Sequence, residues 1–361
     1  MSRHRPISAV PVCAPLVAAA SLMLSAFVGA SWGRPGELFV CGFTSDNVAR
    51  FNAATGAVTG VLQPGVGLNG PLAARLGPDG LMYVASEASN SILRYHPVSG
   101  AFAGVFVVPG SGGLVTPTGI AWGPDGHLYV SCFNTDNVLK FDGGSGAPLG
   151  VFVPPGLGGL DGADNGTIFG PDGHLYVPSY WNNRVLKYDG TSGAYLGMAV
   201  ASIGRPRVLV FRPNGLYVTS ETGDSVKRYD AGTGVFLGDF VASGSGGLDV
   251  PVGLAFDDAG DLYVTSLTTH SVLKYSGVNG AFLGVAVAPG AGSLIAPVFV
   301  TFVPGGCYAD CTANGALSVA DFGCFQGKYV LGDLYADCTA SGGLSVADFG
   351  CFQGKYVLGC P

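Results

Sequence analysis

The sequence predicts an all-β fold, a six-bladed β-propeller closed by pairing of its N- and C-terminal strands, with a small α-helical calcium-loop module behind it. Three observations carry this reading. The phrase Leu-Tyr-Val or a close variant occurs six times, at Leu38-Phe39-Val40, Met82-Tyr83-Val84, Leu128-Tyr129-Val130, Leu175-Tyr176-Val177, Leu216-Tyr217-Val218 and Leu262-Tyr263-Val264, spaced 41 to 47 residues apart. That is the spacing of propeller blades. Eight residues after each final valine stands another β-branched residue (Val48, Ile92, Val138, Val185, Val226, Val272), so one hairpin of constant length, and one register, repeats six times. Finally, 60 glycines and only 11% charged residues in 361 suit many short strands joined by tight turns.

Each element follows in chain order. Residues 1–30 begin with Arg3 and Arg5, continue through an apolar stretch from Leu16 to Ala30, and end on the small residues Val28-Gly29-Ala30. This is the pattern of a secretory signal cleaved before Ser31, and it takes Cys13 with it. Removing two arginines moves the formal charge from -7 to -9, with no cluster of Lys and Arg, which argues against a nucleic-acid partner. No later segment has the apolar length of a membrane span, so a secreted or cell-surface protein is expected.

Residues 36–306 form the repeat region. Each copy reads as four strands, for example Val138-Leu139-Lys140-Phe141 and Leu149-Gly150-Val151-Phe152-Val153 on either side of a glycine turn. In three copies the last strand ends in Gly-Pro-Asp-Gly, at Gly77 to Gly80, Gly123 to Gly126 and Gly170 to Gly173, where proline fixes one φ and glycine tolerates a positive one. The chain enters at Leu38-Phe39-Val40 and leaves on Val298 to Val303, so one blade lacks its inner strand and the other end of the chain supplies it. Closure of that kind removes the exposed sheet edges.

The phrase from Pro117 to Val130, Pro-Thr-Gly-Ile-Ala-Trp-Gly-Pro-Asp-Gly-His-Leu-Tyr-Val, resembles the NHL-repeat and senescence-marker-protein/gluconolactonase-like propellers. The resemblance covers Gly36 to Gly306 and implies the fold. Its members include lactonases, lyases and binding proteins alike. The gluconolactonase-like members hold a divalent ion with a glutamate, two asparagines and an aspartate; here Asn134, Asn165 and Asp249 stand near plausible levels, but their spacing does not single them out.

Propellers work at the axial mouth, and three residues beyond each repeated valine stand Phe43, Glu87, Phe133, Tyr180, Glu221 and Leu267. Glu87 and Glu221 fall three blades apart and are expected to face one another across the axis, where they could bind a cation or polar ligand. Phe43, Phe133, Tyr180 and Trp181 offer a stacking surface for a carbohydrate or peptide. His270 stands where the other blades carry Asp46, Asn90, Asp136, Asn183 and Asp224, which favours a turn role. Cys41 and Cys132 are expected to be buried free thiols.

In residues 307–361 the segment Tyr308 to Gly332 recurs almost unchanged as Tyr335 to Gly359, offset by 27. Each copy has a twelve-residue loop of calcium type, with ligand positions at Asp310, Thr312, Asn314, Ala316, Ser318 and Asp321, then Asp337, Thr339, Ser341, Gly343, Ser345 and Asp348. A helix with Phe322, Phe325 and Tyr329 on its apolar side is expected to follow. The Gly-Cys-Phe-Gln phrase (Gly323 to Gln326, Gly350 to Gln353) and aspartate at position twelve resemble the cysteine-rich dockerin-like repeats, which implies calcium as cofactor and a protein partner outside the cell. Two carboxylates per loop predict weak affinity, on the order of millimolar. Cys307, Cys311, Cys324, Cys338, Cys351 and Cys360 read as three disulfides in one of fifteen connectivities. Repeat symmetry would set Cys311 and Cys324 as counterparts of Cys338 and Cys351 and leave Cys307 and Cys360 to clasp the ends. The function expected is a non-catalytic ligand- or protein-binding propeller docked through its tail; the alternative is a secreted lactonase- or lyase-like enzyme with a divalent metal at the mouth.

Overall fold

The computed structural model describes residues 36–63, 67–305 and 319–330, together with 346, 349, 350, 352 and 353. The expected signal segment, all calcium-loop positions except Asp321, and the disulfide pairing lie outside them. Six four-stranded antiparallel sheets account for the repeat region. The strand Pro297–Val303 joins the sheet begun by Glu37–Gly42, in register from Glu37 opposite Val303 to Cys41 opposite Phe299. The ring is therefore closed by its own two ends, as the chain order required.

Why Leu-Tyr-Val recurs is plain from the packing. The second strand of each blade is covered by neighbouring blades on both faces, so every residue of the phrase must be apolar or have its polar tip satisfied. Tyr83, Tyr129, Tyr176, Tyr217 and Tyr263 are at most 2% exposed. Four of their rings meet, edge to face, an aromatic at the end of the next blade's inner strand: Tyr83 with Trp122 at 4.9 Å, Tyr129 with Phe169 at 4.8 Å, Tyr176 with Phe211 at 4.7 Å and Tyr217 with Phe256 at 5.2 Å. The hydroxyls of Tyr83, Tyr129 and Tyr176 donate to Asp79, Asp125 and Asp172 of the Gly-Pro-Asp-Gly turns at 2.8, 2.9 and 2.8 Å. Those turns thus satisfy a buried phenol as well as reverse the chain. Cys41 and Cys132 are buried free thiols, and burial pushes both up, Cys132 to about 11.

The inner strands begin with a proline in five blades (Pro71, Pro117, Pro206, Pro251, Pro297) and the register shifts just after it. A bulge there re-aims one side chain. Blade four departs from the pattern: it carries Asp164-Asn165-Gly166, and its inner strand shrinks to Ile168–Phe169. The cause is local. The preceding loop holds one residue more, and a Cβ on Gly166 would lie 2.2 Å from the Arg207 carbonyl oxygen, so only glycine lets this segment press against blade five.

The expected helix is present as Val319–Val330 and begins at the tenth position of the first duplicated twelve-residue segment. Phe325 stacks on Phe352 at 3.9 Å and 12°, and Phe322 meets Phe349 at 5.6 Å, so residues related by the 27-residue offset pair with each other. Asp321 is fully buried. No helix among the described residues is long and apolar enough to cross a membrane.

Candidate functional site at the axial mouth

Each mouth side chain is positioned by one device used six times. In every blade the hairpin ends on a residue with left-handed backbone: Asp46, Asn90, Asp136, Asn183, Asp224 and His270, with φ between 44° and 56°. Each of these side chains accepts the backbone N–H of a second left-handed residue just before the next inner strand. The pairs are Asp46 with Gly70, Asn90 with Thr116, Asp136 with Gly162, Asn183 with Arg205, Asp224 with Val250 and His270 with Ala296, at 2.6 to 3.1 Å. The carbonyls of the same second residues accept the N–H groups of Glu87, Phe133, Tyr180, Glu221, Leu267 and Phe43 in turn, at 3.0 to 3.2 Å. Asp and Asn tolerate this backbone and offer a short acceptor. His270 does the same work through Nδ1, so it is a turn residue.

On this scaffold blades four and five build a charged cluster. The Tyr180 hydroxyl donates to Glu221 Oε1 at 2.7 Å, Arg207 Nε donates to Glu221 Oε2 at 2.6 Å, and Arg205 Nη1 reaches Oε1 at 3.3 Å. Arg207 Nη1 donates to Asp164 Oδ2 at 2.9 Å, and Asp164 is fully buried. Two guanidinium groups and two carboxylates therefore cancel. Burial alone would raise the Glu221 carboxyl, but Arg207, Tyr180 and Arg205 outweigh it and hold it below the usual carboxylate range. Asp164 is pushed up by complete burial, against the pull of Arg207. Tyr180 is raised to about 12, by burial first and by Glu221 second.

Glu87 stands outside this balance. Its side chain makes no hydrogen bond or ion pair among the described residues, and its carboxyl is raised by burial and by the charge of Asp164, with Arg207 opposing. Asp164 and Arg207, the charges that act on Glu87, are the same two that belong to the Glu221 cluster. The axis itself is bridged lower down. Asn165, fully buried, donates from Nδ2 to the carbonyls of Leu72 at 3.3 Å and Val298 at 3.1 Å, joining blade four to blades two and one.

Three of the four expected aromatics come together. Tyr180 lies 4.7 Å from Trp181, and Phe133 lies 5.7 and 6.2 Å from those two rings. Arg205 caps the group, its guanidinium carbon 5.2 Å from both Tyr180 and Trp181, while Arg207 sits 4.5 Å over Tyr180. Tyr180 is buried, but Trp181 remains 51% exposed. Phe43 stands apart, against Gly70 of blade two. Among the described residues no three His, Cys, Asp or Glu side chains converge as a metal-ligand group.

Sequence reasoning missed Asp164, Arg205 and Arg207. The signal was there: Asp164-Asn165-Gly166 breaks the Pro-x-Gly phrase of Pro117-Thr118-Gly119 and Pro251-Val252-Gly253, and Arg205-Pro206-Arg207 puts two charges around the one proline where the other blades have none.

No protein-family model and no curated protein matches the chain. Solved structures do. A nidogen/laminin complex structure matches with TM-score 0.59 at 15% identity, over 74% of this chain and 98% of the other. A protein of unknown function from Bacteroides caccae matches with TM-score 0.59 at 14% identity, over 74% and 99%. Virginiamycin B lyase from Staphylococcus aureus matches with TM-score 0.50 at 15% identity, over 74% and 80%. Likeness at such low identity shows the fold alone, and the fold it shows is the six-bladed β-propeller.

Proposed function

We propose that the chain is a secreted, non-catalytic binding protein whose propeller mouth takes a protein or peptide partner, and whose C-terminal repeats are a dockerin-like calcium module that docks it outside the cell. One observation carries the mouth reading: a half-exposed Trp181 is held rigid between Phe133 and Tyr180 and capped by Arg205, itself 41% exposed. Tryptophan, tyrosine and arginine packed this way are the residue types that anchor protein interfaces. The charges beneath them are spent on one another, which suits a rigid platform more than proton transfer. A nidogen/laminin complex among the similar structures agrees with a propeller used to bind protein. The tail reading rests on the two duplicated loops with glycine at the sixth position and aspartate at the twelfth.

The test screens the mature chain, from Ser31, against peptide and glycan arrays beside Trp181→Ala and Arg205→Ala. Peptides retained by the native chain and weakened by about tenfold or more in both variants are expected. Glycans bound in their place, or binding indifferent to both variants, would overturn the reading. Calcium should raise the melting temperature of the native chain and not that of a chain carrying Asp321→Asn and Asp348→Asn.

A second reading, a lactonase- or lyase-like enzyme with a divalent ion at the mouth, draws on Glu87, a desolvated carboxyl without a hydrogen-bond or ion-pair partner among the described residues. An ion that survives the Asp321→Asn, Asp348→Asn double substitution and is lost with Glu87→Gln would favour it.

A further inference from the structure

The other end of the axis holds a second candidate site, about ten ångströms below the Leu72 level at the rise of a β-strand. There the inner strands of blades one to four line an open cavity of about 310 Å³, walled by Leu76, Trp122, Phe169, Phe302, Thr301 and Arg75. At the level of Arg75, opposite the second residue of each Leu-Tyr-Val phrase, the other blades carry Ala121, Ile168, Val210, Ala255 and Thr301. Arg75 is thus the one charge in an otherwise uncharged ring.

That charge is uncompensated. Among the described residues Arg75 forms no hydrogen bond and no ion pair. Its Nε and Nη2 are shielded from solvent without a partner, and its guanidinium carbon lies 5.2 Å over the Phe299 ring. Cations shielded from solvent are ordinarily paired; Arg75 is partly buried, with Nη1 its one unshielded nitrogen. The cavity lining offers it no carboxylate: Thr301 brings only a neutral hydroxyl, which donates to the Ala74 carbonyl, and the indole N–H of Trp122 is a second shielded donor without an acceptor. Donors are in excess and acceptors are missing. Burial lowers Arg75 to about 10, which leaves it protonated at neutral pH.

We propose that this lower axial cavity binds a small organic carboxylate with a compact apolar body, the carboxylate on Arg75 and the body among Leu76, Phe169, Phe302 and the Trp122 ring. Nη1, the guanidinium nitrogen that is not shielded, can donate to a carboxylate oxygen, and a small turn of the side chain would present a second nitrogen for bidentate contact. A phosphate dianion would want further donors, which the apolar walls lack. The volume lies at the small end of ligand pockets. Asn165 bridges the axis between this cavity and the mouth, so the site stands whether or not the mouth binds protein.

The experiment titrates the full mature chain with phenylacetate, with the uncharged isostere phenylacetamide, and with inorganic phosphate, followed by calorimetry. Saturable binding of phenylacetate, with phenylacetamide and phosphate each weaker by at least about tenfold, is the expected result. Arg75→Gln should weaken phenylacetate by a similar factor. Trp122→Phe keeps a ring against Tyr83 and removes only the indole donor, so it should fold and bind about two- to fivefold more weakly even if Arg75→Gln does not fold. No saturable binding, equal affinity for the acid and the amide, phosphate matching phenylacetate, or affinity unchanged in both variants would each overturn the proposal.

Discussion

Single residues in this molecule are chosen by backbone conformation as much as by chemistry, and the six left-handed hairpin ends make the point. His270 is the one histidine among these ends; its position among Asp46, Asn90, Asp136, Asn183 and Asp224 gave its role, and the 3.1 Å contact from the Ala296 N–H to Nδ1 agrees. The comparison yields a prediction. His270→Asn keeps an acceptor and a side chain that tolerates positive φ, so its stability to denaturant should stay within about 0.5 kcal/mol of the native chain. His270→Val loses the acceptor and places a β-branched residue at φ 53°, and should cost about 2–3 kcal/mol. Equal losses for the two would show that the hydrogen bond and the backbone strain contribute nothing here.

At the scale of one element, blade four's inner strand was where reading the sequence reached its limit. Alternation and turn chemistry placed all six Leu-Tyr-Val strands and the hairpins after them, because those residues report their own local burial. The cluster of Asp164, Arg207 and Glu221 depends on which side chains a bulge and a shortened strand bring together across two blades, and spacing along one chain does not encode that. Exposure was equally illegible: Tyr180 and Trp181 are adjacent and aromatic, yet one is buried and the other is not. The cluster carries its own prediction. Arg207→Met leaves Asp164 buried without its cation and Glu221 without its closest one, and should cost about 3–5 kcal/mol in chemical denaturation at neutral pH. The pH dependence follows in sign. Glu221 has a folded pKa below its unfolded one, so its contribution is present above the unfolded value and is lost as pH falls through the folded value. The difference in stability between native chain and Arg207→Met should therefore shrink on acidification below the ordinary carboxylate range. A difference that stays constant or grows there would mean that the arginine stabilises by packing and not by charge.

The whole molecule is a ring, and its stability is governed by a pairing between residues more than 250 positions apart in the chain. The Pro297–Val303 strand supplies the inner strand of blade one, with Val298, Phe299 and Val300 at most 3% exposed, and Asn165 reaches across the axis to the Val298 carbonyl. Removing this strand strips blade one of its ladder, bares the edge of Glu37–Gly42 and unplugs one side of the axial bridge. Burial of three such side chains is worth about 1.5–3 kcal/mol each, and the lost ladder adds to it, which together rival the whole stability of an ordinary domain. A chain ending before Pro297 should therefore fail to melt cooperatively and should associate through its exposed edge, whereas one ending after Gly306 keeps every strand of the ring. Calorimetry and sedimentation of the two truncated forms make the comparison. If the shorter form melted as one cooperative unit and stayed monomeric, closure by the two ends would be a detail of topology and five complete blades would suffice to hold the fold.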